Sequence, residues 1–112
     1  MTTEELKKRT KDFALRTIRL VEKLPKGKTA DIIGSQLLRS GTSVGANYRS
    51  ACRARSSADF ISKMTIVEEE ADESIYWREL LIEGGLLDKQ RLNNNVIEAK
   101  ELLAITVSSI NT

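Results

Sequence analysis

Residues 32–55 read Ile32-Ile33-Gly34-Ser35-Gln36-Leu37-Leu38-Arg39-Ser40-Gly41-Thr42-Ser43-Val44-Gly45-Ala46-Asn47-Tyr48-Arg49-Ser50-Ala51-Cys52-Arg53-Ala54-Arg55, and the fold class turns on whether this stretch is a helix or a glycine loop. Propensity favours a loop. Gly34, the run from Ser40 to Ser43, Gly45 and Asn47 are weak helix formers, each glycine costing about 1 kcal/mol against alanine. Spacing favours a helix. Positions 34, 37/38, 41, 44/45, 48 and 51/52 recur every three or four residues, the repeat of one helical face, and that face carries small or apolar side chains. A phosphate-cradling loop would need G-x-x-x-x-G-K-[ST], or G-x-G-x-x-G after a strand. Gly41 to Gly45 is instead G-x-x-x-G, a helix-contact spacing. The stretch is therefore read as one continuous helix whose small face, with Gly41, Gly45 and Tyr48, admits a neighbouring helix closely.

Upstream, Thr2 or Thr3 caps a first helix, with Glu4 and Glu5 suiting the positive end of its dipole. Leu6, Thr10, Phe13, Thr17, Leu20/Val21 and Leu24 form its apolar stripe, and Pro25 stops it. Lys26-Gly27-Lys28 is a turn. Downstream, Ser56 and Asp59 form a capping box for a third helix. Its main face is Phe60/Ile61, Met64, Val67, Ala71, Ile75, Arg78 and Leu81/Ile82, and Gly84-Gly85 ends it. Ile66, Tyr76, Trp77 and Leu80 lie outside that stripe, more apolar surface than one intramolecular core takes up, and are expected at an interface with another subunit. Asp88 caps the last helix, striped by Leu92, Val96, Ala99, Leu103, Thr106 and Ile110. Residues 1–112 are thus expected to form a single all-α domain, an antiparallel up-down-up-down four-helix bundle with helices over about 3–24, 29–54, 57–83 and 88–110.

The charge is unevenly placed. Residues 1–55 hold 13 basic against 5 acidic side chains, net +8, and residues 56–112 hold 5 against 11, net −6, for an overall +2. Either one half meets an anionic partner or the halves pair. Cys52 is the only cysteine, so no intrachain disulfide exists, and it reads as a small packing residue. No apolar run approaches a membrane span and the N-terminus lacks a signal-peptide pattern, so a cytoplasmic protein without a membrane partner is expected. The absence of histidine removes the usual general base, the commonest metal ligand and the nucleophilic triads. No catalytic residue, metal ligand or cofactor is assigned. The acidic run Glu68-Glu69-Glu70-Ala71-Asp72-Glu73, with Glu98 and Glu101, is broadly similar to all-α nucleoside-triphosphate pyrophosphatases of the MazG type, which leaves a Mg²⁺-dependent enzyme as a remote alternative.

Taken together, Arg39-Ser40-Gly41-Thr42-Ser43-Val44-Gly45-Ala46-Asn47-Tyr48-Arg49, Ser57-Ala58-Asp59-Phe60-Ile61, the acidic run and Tyr76-Trp77 with Leu80-Leu81 resemble the 23S ribosomal RNA intervening sequence proteins, small bacterial four-helix-bundle proteins. The resemblance covers nearly the whole chain. It implies an antiparallel bundle assembling as a ring-like homopentamer. More distantly it implies kinship with the accessory variability protein of diversity-generating retroelements, a basic pentamer that binds nucleic acid and a reverse transcriptase. The chain departs from close relatives at Arg78, where they tend to have leucine, at Ser57, where a basic residue is common, and at a C-terminus without basic residues.

Two functions are expected from these residues. The first is a non-enzymatic homo-oligomeric scaffold that binds RNA or DNA phosphates through Arg39, Arg49, Arg53 and Arg55, supported by Lys26 and Lys28. The second is a protein-interaction module in which Arg49 and Arg53 meet Glu69, Asp72 or Glu73 of a neighbouring subunit.

Overall fold

The four helices start on side chains and on one glycine. Thr2 Oγ1 accepts from Glu5 N at 3.1 Å and opens α1, Thr3–Glu22. Ser56 Oγ accepts from Asp59 N at 3.0 Å and opens α3, Ser57–Glu83, while Asp88 Oδ1 accepts from Gln90 N at 3.1 Å and opens α4, Lys89–Ile110. The second helix, α2, Lys28–Ala51, has no side-chain cap. It follows Gly27 at φ 152° and ψ 160°, backbone that only glycine adopts without strain, so the turn after Pro25 depends on that residue. The computed structural model describes residues 1–111, apart from the side chains of residues 91–93; Leu92, assigned above to the stripe of the last helix, lies outside the described residues.

The first helix stops two residues short of the expected Leu24, and α2 ends at Ala51 instead of Ala54. Arg53 and Ala54 donate to Ser50 O and Ala51 O, a tightened last turn, and Arg55 N donates to Asp59 Oδ2. Ser56 must be extended, at φ −160°, to cap α3, so the cap draws the chain out of the helix before Arg53. The continuous helix expected over residues 32–55 is therefore corrected: Arg53 and Arg55 lie in the corner beyond α2.

The small residues of α2 set its distance from α1. A Cβ placed on Gly34 would meet Val21 and Leu24, one on Gly41 would meet Thr17, and one on Gly45 would meet Thr10. As numbers rise on one helix they fall on the other, which is an antiparallel register. Arg39 reaches Glu70 from α2 to α3, and Arg9 reaches Glu98 from α1 to α4. The seam between α1 and α4 is the shortest of the four.

The core is divided into two. One cluster gathers Leu6, Phe13, Val44, Tyr48, Met64, Val67, Ala71, Ile75, Ala99 and Leu102, and the other gathers Leu20, Leu37 and Leu81 with Trp77, Leu86 and Leu87 around them. Four polar side chains are fully buried with them: Thr17, Ser40 and Arg78, which fall along the chain between members of the two clusters, and Ser74, within the first. Each hydroxyl donates to the preceding turn of its own helix, at 2.9 Å to Phe13 O, 3.3 Å to Leu37 O and 2.8 Å to Ala71 O. Arg78 donates to Ser74 O at 3.2 Å and across the core to Thr17 Oγ1 at 2.7 Å, and its guanidinium lies 4.5 Å from the Phe13 ring centre. Its Nε has no partner.

The glycines should differ in their tolerance of a methyl group. At Gly41 the added Cβ would come within 2.6 Å of Thr17 Oγ1, on a stiff β-branched side chain held by two hydrogen bonds. At Gly34 the close atom, 2.8 Å away, is the mobile end of Leu24. Overpacking costs about 1–3 kcal/mol and alanine returns about 1 kcal/mol of helix propensity. Urea unfolding should show Gly41→Ala destabilised by about 1–2 kcal/mol and Gly34→Ala unchanged or slightly stabilised; equal effects at the two sites would contradict the packing described.

Candidate nucleic-acid interface

The cations assigned from the sequence do not form one site. Arg39, halfway along α2, donates to Glu70 at 3.0 Å and also to Glu73 of α3. Glu73 in turn accepts from Trp77 Nε1 at 3.1 Å. These hydrogen bonds raise the Arg39 pKa, and the two carboxylates leave the guanidinium little net charge to offer an anion.

Lys26 and Lys28 sit at the α1–α2 turn, whereas Arg49, Arg53 and Arg55 sit at the other end of α2. Twenty-one residues of helix separate Lys28 from Arg49, about 30 Å at 1.5 Å per residue. Arg49 and Arg53 are exposed and, among the described residues, have no side-chain partner.

Arg49 instead belongs with α1. A groove of about 580 Å³ runs between the two helices, lined by Lys7, Lys8, Lys11 and Arg49 along with Thr42 and Gly45, and by one carboxylate, Glu4, at its end. It is shallow because Ala14, Gly45 and Ala46 supply no bulk on either wall. Lys7 is held by Glu4 at 3.4 Å and Lys8 by Asp12 at 3.1 Å, both exposed contacts of small worth, whereas Lys11 has no partner among the described residues. Three lysines of α1 and an arginine of α2 thus crowd one groove, and an anion would relieve their repulsion. Nothing local in the sequence ties the α1 lysines to α2. The antiparallel register that brings them against Arg49 is a tertiary fact, although the 4-residue step from Gly41 to Gly45 marks where α2 comes close.

The other assigned residues are distributed as follows. Gly41 and Gly45 face α1, and Tyr48 is buried in the first core cluster, where desolvation pushes its phenol up to about 12. Ile66 and Tyr76 are exposed, Leu80 is half-buried, and Trp77 packs on the second core cluster with its ring edge-on to Tyr76 at 5.1 Å. The carboxylates of the pyrophosphatase alternative point three ways. Glu70 and Glu73 turn to Arg39 and Glu98 and Glu101 turn to Arg9, while Glu68, Glu69 and Asp72 line a groove with Leu103 and Val107. Among the described residues no three acidic or sulfur ligands converge as a metal site would require.

The four-helix architecture agrees with the comparisons to known proteins. Residues 3–108 match the family model described as 23S rRNA-intervening sequence protein. Among solved structures, the chain is similar to a protein of unknown function from the S23 ribosomal protein family of Bacteroides thetaiotaomicron. The two share 36% sequence identity over 100% of each chain, with a TM-score of 0.92. No functionally curated protein matches.

Arg9, which no sequence pattern singled out, clasps the short α1–α4 seam. Its Nε and Nη2 donate to the Glu98 carboxylate at 2.8 and 2.7 Å, and Nη2 also reaches Glu101. The hydrogen bond from Arg9 holds the Glu98 carboxyl below the usual range. A carboxyl depressed in the folded state adds stability that is whole above its unfolded pKa, about 4.3, and is lost as pH falls through the folded value. Below about pH 4.3, stability of the wild-type chain should therefore fall more steeply than that of Glu98→Gln, by roughly 1 kcal/mol across the acid limb. Parallel acid limbs in urea titrations would show that the clasp contributes nothing.

Proposed function

Because the chain belongs to the 23S rRNA-intervening sequence protein family, we propose that it is a non-enzymatic cytoplasmic scaffold, a ring-like homopentamer like the relatives it resembles, that binds the backbone of RNA or DNA. The observation that supports this reading is the convergence of Lys7, Lys11 and Arg49 on one groove, with Lys11 and Arg49 lacking any carboxylate partner among the described residues. Arg53 and Arg55, exposed in the corner just past α2, extend the same positive end. Arg39 is left out because two carboxylates already neutralise it, and Lys26 and Lys28 lie too far along α2 to act with the groove on one short segment.

Recognition of this kind reads phosphates and not bases. Tyr48 and Phe13 are committed to the core and Trp77 to the second cluster, so no aromatic platform lines the groove for base stacking. Binding should be steeply salt-dependent and weakly selective for sequence.

Fluorescence anisotropy with a structured rRNA fragment and an unrelated single-stranded DNA, across a salt series, tests the reading. Binding is expected at low salt for both. Arg49→Gln should lower the slope of log K against log salt by about 0.7–0.9 for each protomer engaged, and Arg39→Gln should leave it unchanged. No binding at about 50 mM salt would overturn the proposal, and an Arg39 effect as large as that of Arg49 would overturn the assignment of the groove.

A further inference from the structure

The two ends of the bundle are filled differently. At one end Leu24, Trp77, Leu86 and Leu87 pack over the second core cluster. At the other, α2 finishes on Ala51 and Cys52, and the corner leading to α3 includes the small residues Ala54, Ser56 and Ser57. These supply too little bulk to close the first cluster, and a cavity of about 820 Å³ opens there to solvent. Buried Leu6, Tyr48 and Ala51 form its floor, and Phe60, Ile105 and Ile110, each only partly covered, form its walls. Ile61, 45% exposed, stands at its mouth.

The polar groups of the cavity favour one sign of charge. Arg55 is the one charged side chain in the lining, exposed and without a side-chain partner among the described residues. The nearest carboxylates are engaged elsewhere: Asp59 meets Lys63 Nζ at 3.2 Å and accepts from Arg55 N, and Glu4 turns to Lys7 at 3.4 Å. Ser57, also in the lining, is the first residue of α3, so its N–H has no acceptor within the helix and is left to donate outward. The grooves along the helices lack this combination. Lysines wall the one between α1 and α2, Glu68, Glu69 and Asp72 the one between α3 and α4, and Arg16, Arg19 and Lys23 the one between α1 and α4.

An apolar enclosure with a single cation and a free N–H at its rim matches an amphiphile with one anionic head. We propose that this cavity binds a small monocarboxylate with an apolar body, of the medium-chain fatty-acid type. Its carboxylate sits on Arg55 and the Ser57 N–H, and its chain lies on Leu6, Phe60 and Ile105. A neutral or cationic molecule of the same shape keeps the apolar contact and loses the head contact. The proposal does not rest on nucleic-acid binding. Of the cations offered there to phosphate it engages only Arg55, while Lys7, Lys11 and Arg49 line a different groove.

Cys52 lines the cavity and is the only cysteine, so its reactivity reports occupancy at this place. The test follows Cys52 alkylation by uncharged iodoacetamide, by mass spectrometry on the full chain, with decanoate, octanoate, decanol or decylamine added and circular dichroism as a check that helix content persists. Decanoate should slow the reaction saturably. Octanoate, with two fewer methylenes to bury, should need about tenfold more for equal protection, and so should decanol and decylamine, which lack the anionic head. Arg55→Gln should weaken protection by decanoate about threefold and leave decanol unchanged, as expected for one exposed charge. Ile61→Asp, at an exposed position that should not disturb folding, places a carboxylate at the mouth and should abolish protection by decanoate. Alkylation unaffected by decanoate in the wild type, or slowed equally in Ile61→Asp, would overturn the site. Equal protection by decanoate, decanol and decylamine, or an Arg55→Gln chain with undiminished preference for the acid, would overturn the assignment of its ligand.

Discussion

Three of the four helices are joined at one side chain. Thr17 is fully buried where α2 presents Gly41, so α2 rests directly on it, and its hydroxyl accepts from Arg78 of α3 while donating to Phe13 O. A β-branched residue with restricted rotamers suits this position, because neither the glycine contact nor the hydrogen bond survives a change of χ1. The arginine it receives is wholly buried with no carboxylate beside it. Desolvation pushes its pKa down to about 10, which still leaves it cationic at neutrality. Two hydrogen bonds and the face of Phe13 offset part of the burial cost, and the unpaired Nε marks what they leave uncompensated.

This junction decides what the surface displays. It fixes α1 and α3 at opposite corners and at matched heights, while α4 is attached through α3 and the Arg9 clasp. The uneven charge of the two halves is resolved in part inside the subunit, where Arg39 and Arg9 each join a basic helix to an acidic one. Among the described residues, the unpaired cations include Lys11 in the α1–α2 groove and Arg53 in the corner after α2, and the unpaired carboxylates include Glu69 and Glu79 of α3.

Much of the fold was legible because its strongest signals are local. The recurrence of small residues at 34, 41 and 45 identifies a helix face against propensity, and Thr2, Ser56 and Asp88 mark three of the four starts. The family resemblance carried by the same stretches agrees with the match over residues 3–108. The site was less legible. Arg53 has good helix propensity, and only the capping demand of Ser56 removes it from α2. Arg39 looks like the other arginines until the α2–α3 register places two carboxylates beside it. Arg78 sits on an apolar stripe, but nothing local says that its charge will be received by a threonine from a helix 61 positions away. The misses at Arg39 and Arg78 involve long side chains whose partners depend on how helices are aligned.

The most direct measurement is a double-mutant cycle between Gly41→Ala and Arg78→Leu, read by urea unfolding at fixed protein concentration. A methyl group at position 41 displaces Thr17 and so breaks the hydrogen bond from Arg78; with leucine at 78 that bond is already absent. Gly41→Ala should therefore cost less in the Arg78→Leu background than in the wild type, with a coupling of at least about 0.5 kcal/mol. Additivity within about 0.3 kcal/mol would contradict a junction shared at Thr17.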